Sequence, residues 1–264
     1  MKTFLIRLKD NKDSIRSAEQ TIQSAKKVGY SEPIELFDAI TPNNWETVLP
    51  FENNFHLYPR PYHVAACFAS HYLLWKKCIE LNEPILILEH DAIFVDNIPN
   101  DLEFNLCINF GRPSYIRPDH MLYVEPQDGV GILKQKNYLG HHAYAITPSA
   151  AKIFCYDVSR RPLTANDIWI DKFNYEFLEE YRPYPIIADT DFSTIQAPVL
   201  VEVSKDDPLK PLSDPNNPDE ILKGYKKLYP GLKCWEEGTE ENKFLLKYFP
   251  HTLKASQSSR YIKV

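Results

Sequence analysis

The first apolar positions of the chain form a short run over residues 3–8, which predicts a buried strand. Ile15, Ala18, Ile22, Ala25 and Val28 then recur at three- and four-residue intervals, the period of an amphipathic helix over 14–28. A second apolar run, 34–37, stops at Asp38-Ala39-Ile40-Thr41-Pro42. Strand, helix and strand within about forty residues open an α/β domain.

Residues 63–81 return to the helical period, and Asn82-Glu83-Pro84 ends it. Ile85-Leu86-Ile87-Leu88 follows with no polar break, the pattern of a central parallel strand covered on both faces. Residues 102–110, 121–125, 144–146 and 184–187 are further strand candidates, and 167–178 a further helix candidate. Thr147-Pro148 reads as a helix N-cap followed by Pro at the first helical position. After Val203 the character changes, and 205–219 carries four prolines among many charges. The predicted division is an α/β domain over 1–202 and a Pro- and charge-rich extension over 203–264, packed on it.

Composition narrows the chemistry. The chain has 21 Pro against 8 Gly, which disfavours a Gly-rich phosphate loop, and Gly129-Val130-Gly131 lacks the later Gly and the Lys-Ser/Thr of one. A net charge of -6 excludes a general nucleic-acid binder. The five cysteines form no CxxC pair, and most lie in apolar context, which reads as reduced core thiols. No stretch approaches the ~20 apolar residues of a membrane span, and the first apolar run is too short for a signal peptide. The expectation is a soluble, cytoplasmic protein.

Candidate chemistry gathers where the apolar run 85–88 stops, at Glu89-His90-Asp91. Open α/β sheets bind ligands beyond the carboxyl ends of their strands. On an extended chain, Glu89 and Asp91 at i, i+2 both approach one cation, whose other positions go to water and phosphate oxygens. A strand end where acids merely meet solvent fits the same residues. On an apolar helix, Ser70 and His71 point in different directions and form no nucleophile–base pair. His141-His142 offers one imidazole to a site and one away from it, if extended. Arg160-Arg161 is a candidate for diphosphate contact or plain surface.

The order of these pieces resembles glycosyltransferase family 25, which includes lipopolysaccharide-type glycosyltransferases and procollagen galactosyltransferases. The resemblance rests on Ala66-Cys67-Phe68-Ala69-Ser70-His71, Trp75 and Ile85-Leu86-Ile87-Leu88-Glu89-His90-Asp91-Ala92, similar to the family's Gly-Cys-x-x-Ser-His…Trp helix and Leu-Glu-Asp-Asp strand end. Phe4-Leu5-Ile6-Arg7-Leu8, Phe37-Asp38-Ala39-Ile40, Gly140-His141-His142-Ala143, the stretch 162–167 and Ser193-Thr194-Ile195 follow in matching order, covering 1–196. Two positions depart from the pattern: Ala66 stands for Gly, and His90 for the central acid.

The resemblance implies a GT-A type, Rossmann-like domain that moves a hexose, galactose first, from a UDP-sugar to an acceptor hydroxyl with inversion. It implies Mn²⁺ or Mg²⁺ at Asp91 with Glu89, and a donor site bordered by Leu8, Ala39, Ser70, His71, Glu89 and His90. Glu89 orients ribose or a metal-bound water, and Asp167 takes the acceptor proton; a plain helix-end charge is the other reading of Asp167. The acceptor is a glycan, a lipid-linked glycan or a protein hydroxyl. The His90 departure keeps open a catalytically silent nucleotide- or glycan-binding relative. A metal-dependent hydrolase using Glu89, His90, Asp91 and the His141-His142 pair ranks below it.

Overall fold

The computed structural model describes residues 1–58, 60–112, 128–134 and 136–189. The strand expected at 121–125, the stretch 193–195 and the extension from 203 lie outside these residues. Seven strands form one sheet in the order β2-β1-β3-β8-β5-β9-β7. They are β1 (Lys2–Arg7), β2 (Ile34–Asp38), β3 (Ile85–Glu89), β5 (Cys107–Asn109), β7 (Gly129–Ile132), β8 (Ala143–Ile146) and β9 (Leu178–Arg182). A second sheet has the order β4-β10-β6, from β4 (Ala92–Phe94), β6 (Gly111–Arg112) and β10 (Ile186–Ala188). Among the described residues the α-helices are α1 (Lys12–Lys27), α2 (Pro61–Leu81), α3 (Pro148–Val158) and the single turn α4 (Asn166–Trp169).

β1 lies between its parallel partners β2 and β3. The chain therefore reverses its direction across the sheet at β1, and such a switch point opens a crevice at the carboxyl ends of the strands. Alternation within the strands assigns the two faces. Phe4, Ile6, Ile85 and Ile87 join Phe68 and Trp75 of α2 in one core, while Leu5, Leu86 and Leu88 join Ala18 and Ala25 of α1 in another. Residues Ile85 to Leu88 are 0% exposed, as a strand covered on both faces must be. β3 is parallel to β1 but antiparallel to β8, so the sheet is mixed.

Several elements differ from the sequence expectation, each for a local reason. Helix α1 buries Ser14, Ser17, Thr21 and Ser24 with Ala18 and Ala25, whereas Ile15, Ile22 and Val28 are only half-buried. Its hydroxyls find partners inside: Thr21 donates to the His90 carbonyl (2.9 Å), and Ser24 accepts from the Phe94 amide (3.0 Å). The helix expected over 167–178 stops after one turn. The Asp171 carboxylate accepts from the amides of Phe173 and Asn174 and from the Asn174 side chain, a local turn that competes with the helix. Gly129-Val130-Gly131 is strand rather than loop, paired antiparallel with β9. Thr147 caps α3 as read, accepting from Ala150.

Gly140 has φ +95, and its α-carbon approaches Gly111 so closely that a side chain would collide with the Gly111 carbonyl oxygen. The left-handed backbone alone costs a non-Gly residue about 1–2 kcal/mol. Gly140→Ala is expected to lower the urea midpoint by more than that strain requires. Gly29→Ala, at φ +83 with nothing within 4 Å, measures the strain alone. Equal losses in the two variants would contradict the close approach.

Candidate functional site

An open cleft with a cavity volume of about 60 Å³ lies at the carboxyl ends of β1, β2 and β3. Leu8 follows β1, Ala39 follows β2, and Glu89 and His90 end β3; all four line the cleft together with Ser70 and His71 of α2. Short bonds hold these positions. The Leu8 amide donates to Ser14 Oγ (2.9 Å), and the Ala39 amide to the Arg7 carbonyl (2.8 Å). Ser70 Oγ accepts from the Ile40 amide (2.9 Å) and donates to the Ala66 carbonyl (2.8 Å).

The strand period directs Glu89 toward α2, on the same face as Ile85 and Ile87. There His71 Nε2 lies 3.1 Å from Glu89 Oε1, and His71 Nδ1 lies 3.0 Å from the Tyr144 hydroxyl. Trp75 Nε1 donates to that hydroxyl at 2.8 Å. An ionised carboxylate only accepts, so His71 Nε2 carries a hydrogen and donates it to Glu89. Three buried side chains thus direct one N–H at the carboxylate.

His141 Nδ1 stands 3.7 Å from the same Glu89 oxygen, and its ring centroid lies 4.2 Å from that of His71. Burial alone would push the Glu89 carboxyl up, but the polar contacts of His141 and His71 outweigh it and hold the group well below the ordinary carboxylate value. Burial lowers His141 and His142 to about 4. Both histidines precede β8, in the turn after Gly140, and only His141 approaches Glu89. The His142 backbone carbonyl accepts the Glu89 amide at 2.8 Å.

The chain turns at His90 and Asp91, so the strand alternation that would have aligned Asp91 with Glu89 does not continue through it. Asp91 is not among the cleft-lining residues. Its Oδ1 is buried with no hydrogen-bond partner among the described residues. Burial, then the charges of Glu89 and Asp189, push the Asp91 carboxyl well above its ordinary value. An orphaned acid oxygen crowded by two like charges is an arrangement that a divalent cation at Asp91 would relieve. Asp167 lies on α4, half-buried and outside the lining. Its carboxyl is raised by burial and interacts with His141 and Glu89.

The lining also includes residues that sequence reasoning did not assign to it: Arg7, His63 and Cys67. Arg7 Nη2 lies 3.7 Å from Asp38, while its Nε is buried with no hydrogen-bond partner among the described residues. Its place as the last residue of β1 was the available signal. Cys67 is half-buried at the cleft, not in the core. Burial and the charges of Glu89, Asp167 and Asp91 push its thiol well up, so it is no activated nucleophile. Arg160 and Arg161 lie outside the lining: Arg160 packs over Tyr156, and Arg161 packs over Trp169 and donates to Tyr175. No helix among the described residues is long and apolar enough to cross a membrane.

The sequence profile of glycosyltransferase family 25, described as an LPS biosynthesis protein, matches residues 1–170. No curated protein sequence matches the chain at a significant level. Among solved structures, the apo form of mouse xyloside xylosyltransferase 1 is similar at 10% identity over 67% of this chain and 83% of that one. Its TM-score is 0.33, too low to carry an argument.

Two outcomes test the site's internal chemistry. Tyr144→Phe strips partners from Trp75 Nε1 and His71 Nδ1, and is expected to cost about 1–3 kcal/mol in urea unfolding. A loss under 0.5 kcal/mol, on the order of a neutral surface change, contradicts the relay. His142 has a folded value near 4, below its ordinary 6.5, so the unfolded chain binds its proton first as pH falls. Its contribution is therefore present above pH 6.5 and lost from there toward pH 4. The stability of His142→Gln is expected to fall less steeply across that window than that of the parent protein.

Proposed function

This chain belongs to glycosyltransferase family 25, and from that membership we propose that it transfers a hexose, galactose first, from a UDP-sugar to an acceptor hydroxyl with inversion. The acceptor is a glycan, a lipid-linked glycan or a protein hydroxyl. The reading takes 1–202 as a GT-A type domain and 203–264 as an extension upon it. The observation that carries it is the cleft itself, where Leu8, Ala39, Ser70, His71, Glu89 and His90 line the carboxyl ends of three parallel strands.

Each residue has a task suited to its surroundings. Glu89, held ionised and oriented by His71, accepts hydrogen bonds from donor hydroxyls. Leu8 and Ala39 border the nucleotide, and Ser70 fixes the backbone beside it at Ile40. Asp91 with Glu89 would hold Mn²⁺ or Mg²⁺; when bound, that cation offsets the charge gathering on the departing diphosphate. His90 adds no negative charge between the two acids, since an imidazole is neutral or cationic, and burial disfavours its cationic form. Asp167 takes the acceptor proton. Burial raises its proton affinity, which is what a general base at neutral pH requires.

Calorimetric titration with UDP, with and without Mn²⁺, paired with a turnover assay over UDP-sugars, tests this reading. Asp91→Asn is expected to abolish the Mn²⁺ enhancement of UDP binding. Asp167→Asn is expected to lower kcat about 10²-fold or more while leaving UDP affinity nearly unchanged, the signature of lost proton transfer. Binding of UDP without turnover of any donor overturns the transferase in favour of a silent nucleotide-binding relative. Full activity in Asp91→Asn removes the cation from Asp91.

A further inference from the structure

One side chain at the cleft, the Cys67 thiol, has no task in the transfer chemistry, and it stands beside two that do. Cys67 and His71 stand four residues apart on α2, so both side chains project from the same helix face. That face meets Glu89 at the end of β3, and a sulfur, a ring nitrogen and a carboxylate oxygen come within 4.8 Å of one another. All three residues line the cleft, Cys67 and Glu89 half-buried and His71 buried between them. Ligand bonds of about 2.0–2.3 Å to a tetrahedral Zn²⁺ set the ligand atoms somewhat closer than this, within reach of a small side-chain rotation.

We propose that Cys67, His71 and Glu89 form a binding site for a thiophilic divalent cation, Zn²⁺ first, on the α2 side of the cleft, with Glu89 the one ligand it shares with the oxygen-ligand position proposed at Asp91. The donor types decide the ion. Sulfur and imidazole select Zn²⁺ or Cd²⁺ over Mg²⁺ and Mn²⁺, whereas carboxylates alone favour the hard ions. Three protein ligands leave a fourth position that opens into the cleft, the pattern of sites that keep an exchangeable ligand. Binding replaces the Cys67 S–H and the His71 Nε2–H with bonds to the metal: the thiol proton goes to solvent, and the imidazole keeps its hydrogen on Nδ1, facing the Tyr144 hydroxyl. It also takes Glu89 Oε1 out of its hydrogen bond with His71. The site is independent of whether the chain turns over a sugar donor, so it is tested with metal alone.

The experiment titrates the full-length protein with Zn²⁺ against a chromophoric chelator, and with Cd²⁺ while following the thiolate-to-metal charge-transfer band. One tight equivalent of Zn²⁺ is expected, at least tenfold weaker in Cys67→Ser and in His71→Gln. The Cd²⁺ band is expected to vanish in Cys67→Ser and persist in Cys155→Ser, and a hundredfold excess of Mg²⁺ is expected not to displace Zn²⁺. Because a variant in α2 can fail to fold, alkylation of the parent protein is mapped by mass spectrometry, where Zn²⁺ is expected to slow labelling of Cys67 but not of Cys155. Unchanged Zn²⁺ affinity in a folded Cys67→Ser, or labelling of Cys67 indifferent to Zn²⁺, overturns the proposal. Neither result bears on UDP binding or turnover, so the two readings fail separately.

Discussion

Everything at the cleft depends on one constraint: β3 is sealed on both faces yet ends in a carboxylate. Residues Ile85 to Leu88 have no access to water, and helices and side chains press on them from either side. A slip by one residue would turn Glu89 from the α2 face to the opposite one. Glu89 inherits that fixed register. It emerges at the sheet edge facing α2, where His71 waits with its N–H already oriented by Tyr144 and Trp75. The aromatic core of Phe68, Trp75, Trp169 and Phe154 thus acts on an ionised group it does not touch.

The family's acidic strand end is altered here at His90, and the surroundings explain how the fold tolerates it. An ionised carboxylate in that turn would face Glu89 on one side and Asp91 on the other, with Asp189 also close to Asp91. A neutral imidazole in a buried place adds no further like charge to a cluster already short of cations. The price is one fewer oxygen donor for a hard ion. The cleft compensates in chemical variety, since it also presents a guanidinium at Arg7, an imidazole at His71 and a thiol at Cys67.

How much of this was legible in the sequence varied with the kind of signal. The unbroken run Ile85 to Leu88 needed only hydrophobicity to be read as a central strand. Helix α1 was found by its aliphatic period, but its buried face is largely hydroxylic, because Thr21 and Ser24 bond to the segment that follows β3. Periodicity scores Ser and Thr as polar and cannot register partners nearly seventy residues away. The helix expected over 167–178 failed for a similar reason: the Asp171 side chain satisfies amides that a helix would need. Six cleft residues came from resemblance in residue order; Arg7 and Cys67 sit inside the same motifs but were not read as lining, and His63 joins them only through tertiary proximity.

The bond from the Ile40 amide to Ser70 ties the loop after β2 to the middle of α2. Much of one wall of the cleft is therefore assembled before any ligand arrives. A ligand entering here does not have to organise that wall, so less of its binding energy is consumed in ordering the protein. In kinetic terms, this side of the cleft behaves as a preformed receptor, and differences in affinity among related ligands should emerge chiefly in how fast they leave.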